Sequence, residues 1–374
     1  MNVLEEFENY RKARHQETRA WRSKTGGKVL GTICCCIPEE IIHAAGMLPV
    51  RLLSEHEPTT EADLHLPSNL CPYCKSWFDQ LLKGKYDYLD GIVIPNVCNV
   101  VKATYGFSKY LLKLPYVYFV DVPQRISSEG VEFFTNVLLD FKRSLEDFSG
   151  KPISDEALRH SIDVYNENRT LLDKVYALRK IFPSVLSGSE AQSMVISSML
   201  MPKEAHNRLL FRVLVDMEKA DKVSDKRVKL FISASILDDT EFLKLIEECG
   251  GNVISDDMAM GSRYFFGLVN SEDKPLHALA ERYLTKIACP RKMLPADRLV
   301  FSLSRMEGAN ISGTIIHSLR ACDPHLYEYP LLRQEMEHRG LPVLFFRSEE
   351  TATEWEQQKT DIEAFIEMLQ DRLE

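Results

Sequence analysis

No stretch of 18 or more apolar residues occurs in this 374-residue chain, so no segment reads as a membrane-spanning helix. Clustered positive charge is missing too. Lys and Arg number 46 against 55 Asp and Glu, a formal charge of −9, and without a basic stripe nucleic acid is not an expected partner. Neither a Gly-x-Gly-x-x-Gly fingerprint nor a Walker loop is present, so no nucleotide-hydrolysing site is expected on this chain. A Gly/Ser-rich tether is absent as well, which predicts parts that dock rather than swing. Residues 1–10 are acidic and amphipathic, not basic and then apolar; a cytoplasmic protein is expected.

Cysteine is present, but not as a disulfide framework. The nine cysteines are odd in number and irregularly spaced, which in a large chain without an export signal predicts reduced thiols free to bind metal. A zinc ribbon needs two C-x-x-C pairs, and Cys71-Pro72-Tyr73-Cys74 stands alone. Nor does that pair open the helix after a first strand, where a thioredoxin-like redox motif would sit.

A length of 374 residues with 45% hydrophobic content suffices for two packed cores. Apolar β-rich runs at 29–36, 48–53, 91–95 and 116–120 alternate with helical periodicity, which predicts a doubly wound parallel sheet. Residues 151–224 change character, with helical spacing at 155–178 and 190–200, breaks at Pro183 and Pro202, and no strand signal. Alternation resumes at 228–234, a helix at 239–249, then strands at 252–255, 313–317 and 343–347, and a last helix at 353–373. The expected fold is therefore α/β: two doubly wound, Rossmann- or flavodoxin-like domains, 1–150 and 225–374, joined by a helical connector at 151–224.

Three thiols stand out on that scaffold. Ligands of open α/β sheets bind beyond the carboxyl ends of the strands, and Cys98 follows the run 91–95 while Cys322 follows 313–317. Asp323-Pro324 then signals a helix start, as Pro72 does behind Cys71. A helix N-terminus favours negative charge and a thiolate. Cys71 and Cys98 in one half and Cys322 in the other suggest a metal cluster held between two domains.

The segments Gly31, Ile37-Pro38-Glu39-Glu40-Ile41-Ile42-His43-Ala44-Ala45-Gly46, Asn69-Leu70-Cys71 and Leu89-Asp90-Gly91 leading to Cys98 resemble the 2-hydroxyacyl-CoA dehydratase and benzoyl-CoA reductase family. Asp256-Asp257, Gly261-Ser262-Arg263, Ala321-Cys322-Asp323-Pro324, Glu328-Tyr329-Pro330 and Gly340-Leu341-Pro342 follow the same family order. In length the chain is similar to the smaller, beta-type (D-component) subunit. The resemblance implies a [4Fe-4S] cluster on Cys71, Cys98 and Cys322, a larger subunit as heterodimer partner, an ATP-dependent iron–sulfur activator, and an acyl-CoA substrate.

The implied reaction is reversible loss of water from an (R)-2-hydroxyacyl-CoA to the (E)-2-enoyl-CoA. A low-potential electron on the thioester carbonyl gives a ketyl radical that expels the C2 hydroxyl, and the electron is then recycled. The alternatives are a subunit of an ATP-dependent benzoyl-CoA reductase and a non-catalytic iron–sulfur accessory protein. Asn99, Glu356 and Lys359 depart from the family pattern. A double-cluster branch would need more cysteines in the C-terminal half, where the Asp256-Asp257 segment has none and Cys289 stands alone, so a single cluster is expected.

Other candidates receive plainer readings. Cys34, Cys35 and Cys36 end the first predicted strand, where side chains alternate between faces; at least one should be core, and one could line the cluster pocket. Cys74 is expected to pack beside the cluster, and Cys249 and Cys289 to be structural. Glu39 and Glu40 fit ordinary helix-dipole electrostatics, His43 a hydrogen-bonded core group, and Asp256, Asp257 and Arg263 a site wall or a buried ion pair.

Overall fold

The computed structural model describes residues 3–221, 223–286, 290, 295–349 and 352–372. Its strands are β1 (Val29–Thr32), β2 (Leu48–Arg51), β3 (Gly91–Pro95), β4 (Tyr116–Val120), β5 (Val228–Ala234), β6 (Gly251–Met258), β7 (Gly313–Leu319) and β8 (Val343–Ser348). They form two four-stranded sheets, ordered β2-β1-β3-β4 and β6-β5-β7-β8, in which every pairing is parallel. Both repeat the flavodoxin-type order 2-1-3-4, with the chain reversing direction across the sheet beside β1 and beside β5. The two doubly wound α/β sheets expected from the alternation are present.

Six of the eight strands are almost wholly buried, as parallel strands covered on both faces must be, while the edge strands β4 and β8 are partly exposed. Gly91 shows how closely they pack: a Cβ there would lie 2.4 Å from the carbonyl oxygen of Tyr116 on β4. Between the sheets run helices Asp155–Ile181, Gly188–Ser198 and Lys203–Lys219. The second of these is opened by a capping box in which Ser187 and Glu190 satisfy each other's backbone N–H groups. The N-terminal helix Val3–Lys12 seats on this layer, and Ser197 Oγ donates to the Phe7 carbonyl at 3.0 Å. Helix Pro275–Thr285, late in the sequence, packs on helix Ser128–Ser149 and adds Leu279, Tyr283 and Leu284 to the core of the first sheet. The chain thus interlocks its halves.

Two strand boundaries differ most from the sequence reading. The first strand ends at Thr32, not at position 36, because Cys34 adopts a left-handed backbone (φ +62) that no strand can carry. In the second sheet β6 extends to Met258 and takes in Asp256 and Asp257, which lie beyond the strand expected at 252–255. Their charge is tolerated inside a strand because cationic and backbone N–H partners surround it. No helix among the described residues is long and apolar enough to cross a membrane.

Candidate metal centre

Where the carboxyl ends of the two sheets meet, a cavity of about 480 Å³ opens. Its lining includes Cys71 and Cys98 from the first half and Cys322 from the second, together with Cys34, Cys35 and Cys74. The three thiols singled out in the sequence therefore face one space. Each is the residue preceding a helix: Cys71 before Pro72–Leu82, Cys98 before Asn99–Leu111, and Cys322 before Asp323–His338. Pro72 and Pro324 sit in the first turns of their helices, where a missing N–H costs nothing.

These positions favour negative charge. Cys98 Sγ accepts the Val101 N–H at 3.4 Å, a helix-capping bond that suits a thiolate. The Cys71 thiol is lowered from its ordinary range by the Cys74 thiol, against the effect of burial, and the Cys74 and Tyr73 backbone N–H groups add to the lowering. The partner thiol Cys74 moves up, because it donates to Cys71 and is itself buried. Cys74 accordingly neighbours the set, as expected.

The remaining wall is mostly apolar, with Ile33, Val97 and Val101, and among the described residues includes the Arg263 guanidinium, which is 1% exposed. Arg263 Nε lies 2.9 Å from Asp257 Oδ1, Nη2 donates to the Asp257 carbonyl at 3.1 Å, and Nη1 meets His325 Nε2 at 3.3 Å. Asp257 also takes Arg298 Nη1 and Nη2 at 3.1 and 2.8 Å and the Ser302 hydroxyl at 2.7 Å. Burial opposes ionisation of Asp257, but Arg298 and Arg263 outweigh it and hold the carboxyl well below the usual range. Both readings of this segment hold: Asp257 and Arg263 form a buried ion pair, and Arg263 is part of the cavity wall.

Thiols at helix N-termini, an apolar surround and a buried guanidinium would suit an anionic metal–thiolate group. Among the described residues, the thiols converging within 4.8 Å of one another are instead Cys34, Cys35 and Cys36. They lie in a bend beyond β1, so the expected alternation across a strand does not apply to them. Cys35 and Cys36 are buried, while Cys34 is half-buried. The expectation of core packing thus fits Cys36, whereas two of the three thiols, not one, face the cavity.

Glu39 and Glu40 correct the sequence reading more sharply. They are buried, not merely capping a helix dipole. Glu39 Oε1 meets Arg51 Nη2 at 3.1 Å and its Oε2 accepts from Tyr264 at 2.8 Å; Glu40 pairs with Arg169 and accepts from Tyr283 at 2.8 Å. Tyr264 in turn accepts from Lys203 Nζ at 2.9 Å. The signal available in sequence was two adjacent carboxylates before an apolar helix, which does not reveal partners up to 243 residues away. His43, bonded to Ser161 at 2.8 Å and to Glu204 at 3.1 Å, is hydrogen-bonded as expected but half-buried rather than in the core. Cys249 lies at a helix end away from the cavity lining, and Cys289 falls outside the described residues.

Residues 34–369 match the model of the family described as 2-hydroxyglutaryl-CoA dehydratase, D-component. Among similar proteins, the (R)-phenyllactyl-CoA dehydratase beta subunit of Clostridium sporogenes is 28% identical over 348 residues, covering 92% of this chain and 93% of that protein. A benzoyl-CoA reductase subunit of Thauera aromatica is 28% identical over 343 residues, 89% of each chain. The lactoyl-CoA dehydratase beta subunit of Anaerotignum propionicum is 24% identical over 357 residues, covering 93% and 94%. With a match over nearly its whole length, the chain belongs to the 2-hydroxyglutaryl-CoA dehydratase D-component family.

Proposed function

We propose that this chain is the beta-type subunit of an (R)-2-hydroxyacyl-CoA dehydratase, a hydro-lyase, and that Cys71, Cys98 and Cys322 hold a [4Fe-4S] cluster. The observation that carries this reading is the meeting of those three thiols, from both sheets, in one cavity of a chain similar to dehydratase beta subunits. When bound, such a cluster supplies single-electron transfer at low potential.

The chain's own residues then have separable tasks. Cys98 and Cys322, half-buried, and Cys71, buried, bind as thiolates at helix N-termini. Ile33, Val97 and Val101 keep the cavity wall apolar and limit water. Arg263, fixed by Asp257, places a positive charge against the thiolates without reaching solvent. The proposed partners are a larger dehydratase subunit and a separate ATP-dependent iron–sulfur activator, with an acyl-CoA as substrate, in the cytoplasm.

The deciding experiment is iron and acid-labile sulfide analysis of the chain co-produced with its partner subunit and purified without oxygen. About four of each per chain are expected for a cubane cluster; zinc, or no metal, would overturn the cluster assignment. The similarity to a benzoyl-CoA reductase subunit supports a second reading. Loss of water without net electron use marks the dehydratase, whereas consumption of two electrons per aromatic thioester marks the reductase.

A further inference from the structure

The bend Cys34-Cys35-Cys36 is not explained by a cluster on Cys71, Cys98 and Cys322. Three consecutive side chains on a strand would point to alternate faces, yet these three sulfurs all lie within 4.8 Å of one another. The left-handed backbone of Cys34 (φ +62) breaks the alternation. For a residue with a Cβ this conformation costs about 1–2 kcal/mol, and such strain persists where the surroundings impose it, often at functional sites.

The spacing itself discriminates between kinds of metal group. A single tetrahedral ion with metal–sulfur bonds of about 2.3 Å sets its sulfurs about 3.8 Å apart. A polynuclear cluster attaches each ligand to a different metal atom and needs them wider. The Cys34–Cys36 sulfurs, all within 4.8 Å of one another, fit the compact arrangement better than the wide one, and two of them line the cavity. Charge agrees: Lys286 and Arg263, both buried, act on Cys35.

We propose that Cys34, Cys35 and Cys36 form a second thiolate centre, apart from the Cys71–Cys98–Cys322 set. It binds one thiophilic divalent ion of the zinc or ferrous class, with the fourth coordination position turned to the cavity. Binding converts three thiols and one M²⁺ into a trithiolate complex of charge −1 and releases three protons, with no change of oxidation state. The resulting anion lies within the electrostatic reach of the buried Arg263 and Lys286. This centre does not require that an iron–sulfur cluster be present.

Cobalt(II) is the probe. The full-length Cys71→Ala/Cys98→Ala/Cys322→Ala chain, kept reduced, should bind one Co²⁺ with thiolate-to-cobalt charge-transfer and tetrahedral ligand-field absorption. Adding Cys34→Ser or Cys36→Ser to that background should weaken binding by more than about a hundredfold, beyond the 10–100-fold typical of losing an outer-shell group. Cys249→Ala should leave it unchanged. Absence of the thiolate–cobalt band would overturn the proposal, as would equal affinity in the serine variants or an equal loss in Cys249→Ala. Circular dichroism checks folding, and should Cys36→Ser misfold, the half-buried Cys34 position still decides. Iron and sulfide in the unmutated chain report separately on the cluster.

Discussion

Asp238, just beyond β5, accepts both the hydroxyl of Ser54, at 2.6 Å, and its backbone N–H. Ser54 lies just beyond β2, so this carboxylate joins the carboxyl-end loops of the two sheets. Beside it His56 Nε2 meets Asp239 Oδ2 at 2.6 Å. The cavity depends on two sheets holding a fixed distance, and these contacts are part of what fixes it.

Asp238→Ala should therefore destabilise the protein. It strands a buried N–H and a buried hydroxyl, each costing about 1–3 kcal/mol when unpaired. Denaturant unfolding should show a lower midpoint, with Asp238→Asn less affected because its amide oxygen still accepts. An unchanged midpoint in the alanine variant would show that this contact does not hold the two sheets together.

Arg169→Met should cost more. It leaves Glu40 charged, fully buried and without the cation hydrogen-bonded to it; loss of one partner of a buried pair costs about 3–5 kcal/mol. Burial opposes ionisation of Glu40, yet Arg169 and Arg282 keep its carboxyl below the ordinary range. Glu40→Leu combined with Arg169→Met should recover part of the loss, because the double variant removes both desolvated charges. A double-mutant cycle with no coupling would contradict this.

The strands β3, β4 and β5 were legible residue by residue because each is a compact β-branched or aromatic run between turn residues. Cys71 and Cys322 were legible because a proline behind each marks a helix start, and Cys98 because it follows a strand end. The convergence of Cys34, Cys35 and Cys36 was not, since it depends on a left-handed backbone at a residue other than glycine. The burial of Glu39 and Glu40 was equally hidden. Local sequence marks them as polar, and only partners brought from distant segments make their burial tolerable.

Single-ligand variants separate the thiols by role. Cys98→Ala and Cys322→Ala should each lower the iron content while leaving the helices between the sheets folded. Cys249→Ala should retain iron, since its sulfur lies 4.0 Å from the Lys359 carbonyl, outside the cavity. Iron analysis with circular dichroism is the check, and equal iron in all four proteins would sink the ligand assignment.

Acid should destabilise the fold through histidines held neutral. His206 is fully buried: Nε2–H donates to the Met194 carbonyl at 2.9 Å, and Nδ1 accepts from the Asn168 amide at 2.8 Å. Asn168 cannot reverse its amide freely, because its oxygen accepts from Ser198 at 2.6 Å and its nitrogen also donates to Asn207 at 2.7 Å. A second proton on the ring would thus face an N–H donor. Burial, reinforced by the Lys203 cation, pushes His206 down to about 3, and burial pushes His317 down to about 4. An unfolded histidine takes up its proton near pH 6.5. Below that pH the unfolded chain binds more protons than the folded one, so stability is complete above pH 6.5 and is lost as pH falls toward the folded values. Each group contributes up to about 1.4 kcal/mol per pH unit in that window. Half-buried, ion-paired carboxylates such as Glu8 and Glu55, lowered to about 2, lose most of their contribution only within and below the ordinary carboxylate range. Unfolding free energies between pH 6.5 and 5 therefore isolate the histidines. His206→Gln should start less stable at pH 7 but lose less per pH unit than the unmutated chain, and an identical slope would show that His206 is not held neutral in the fold.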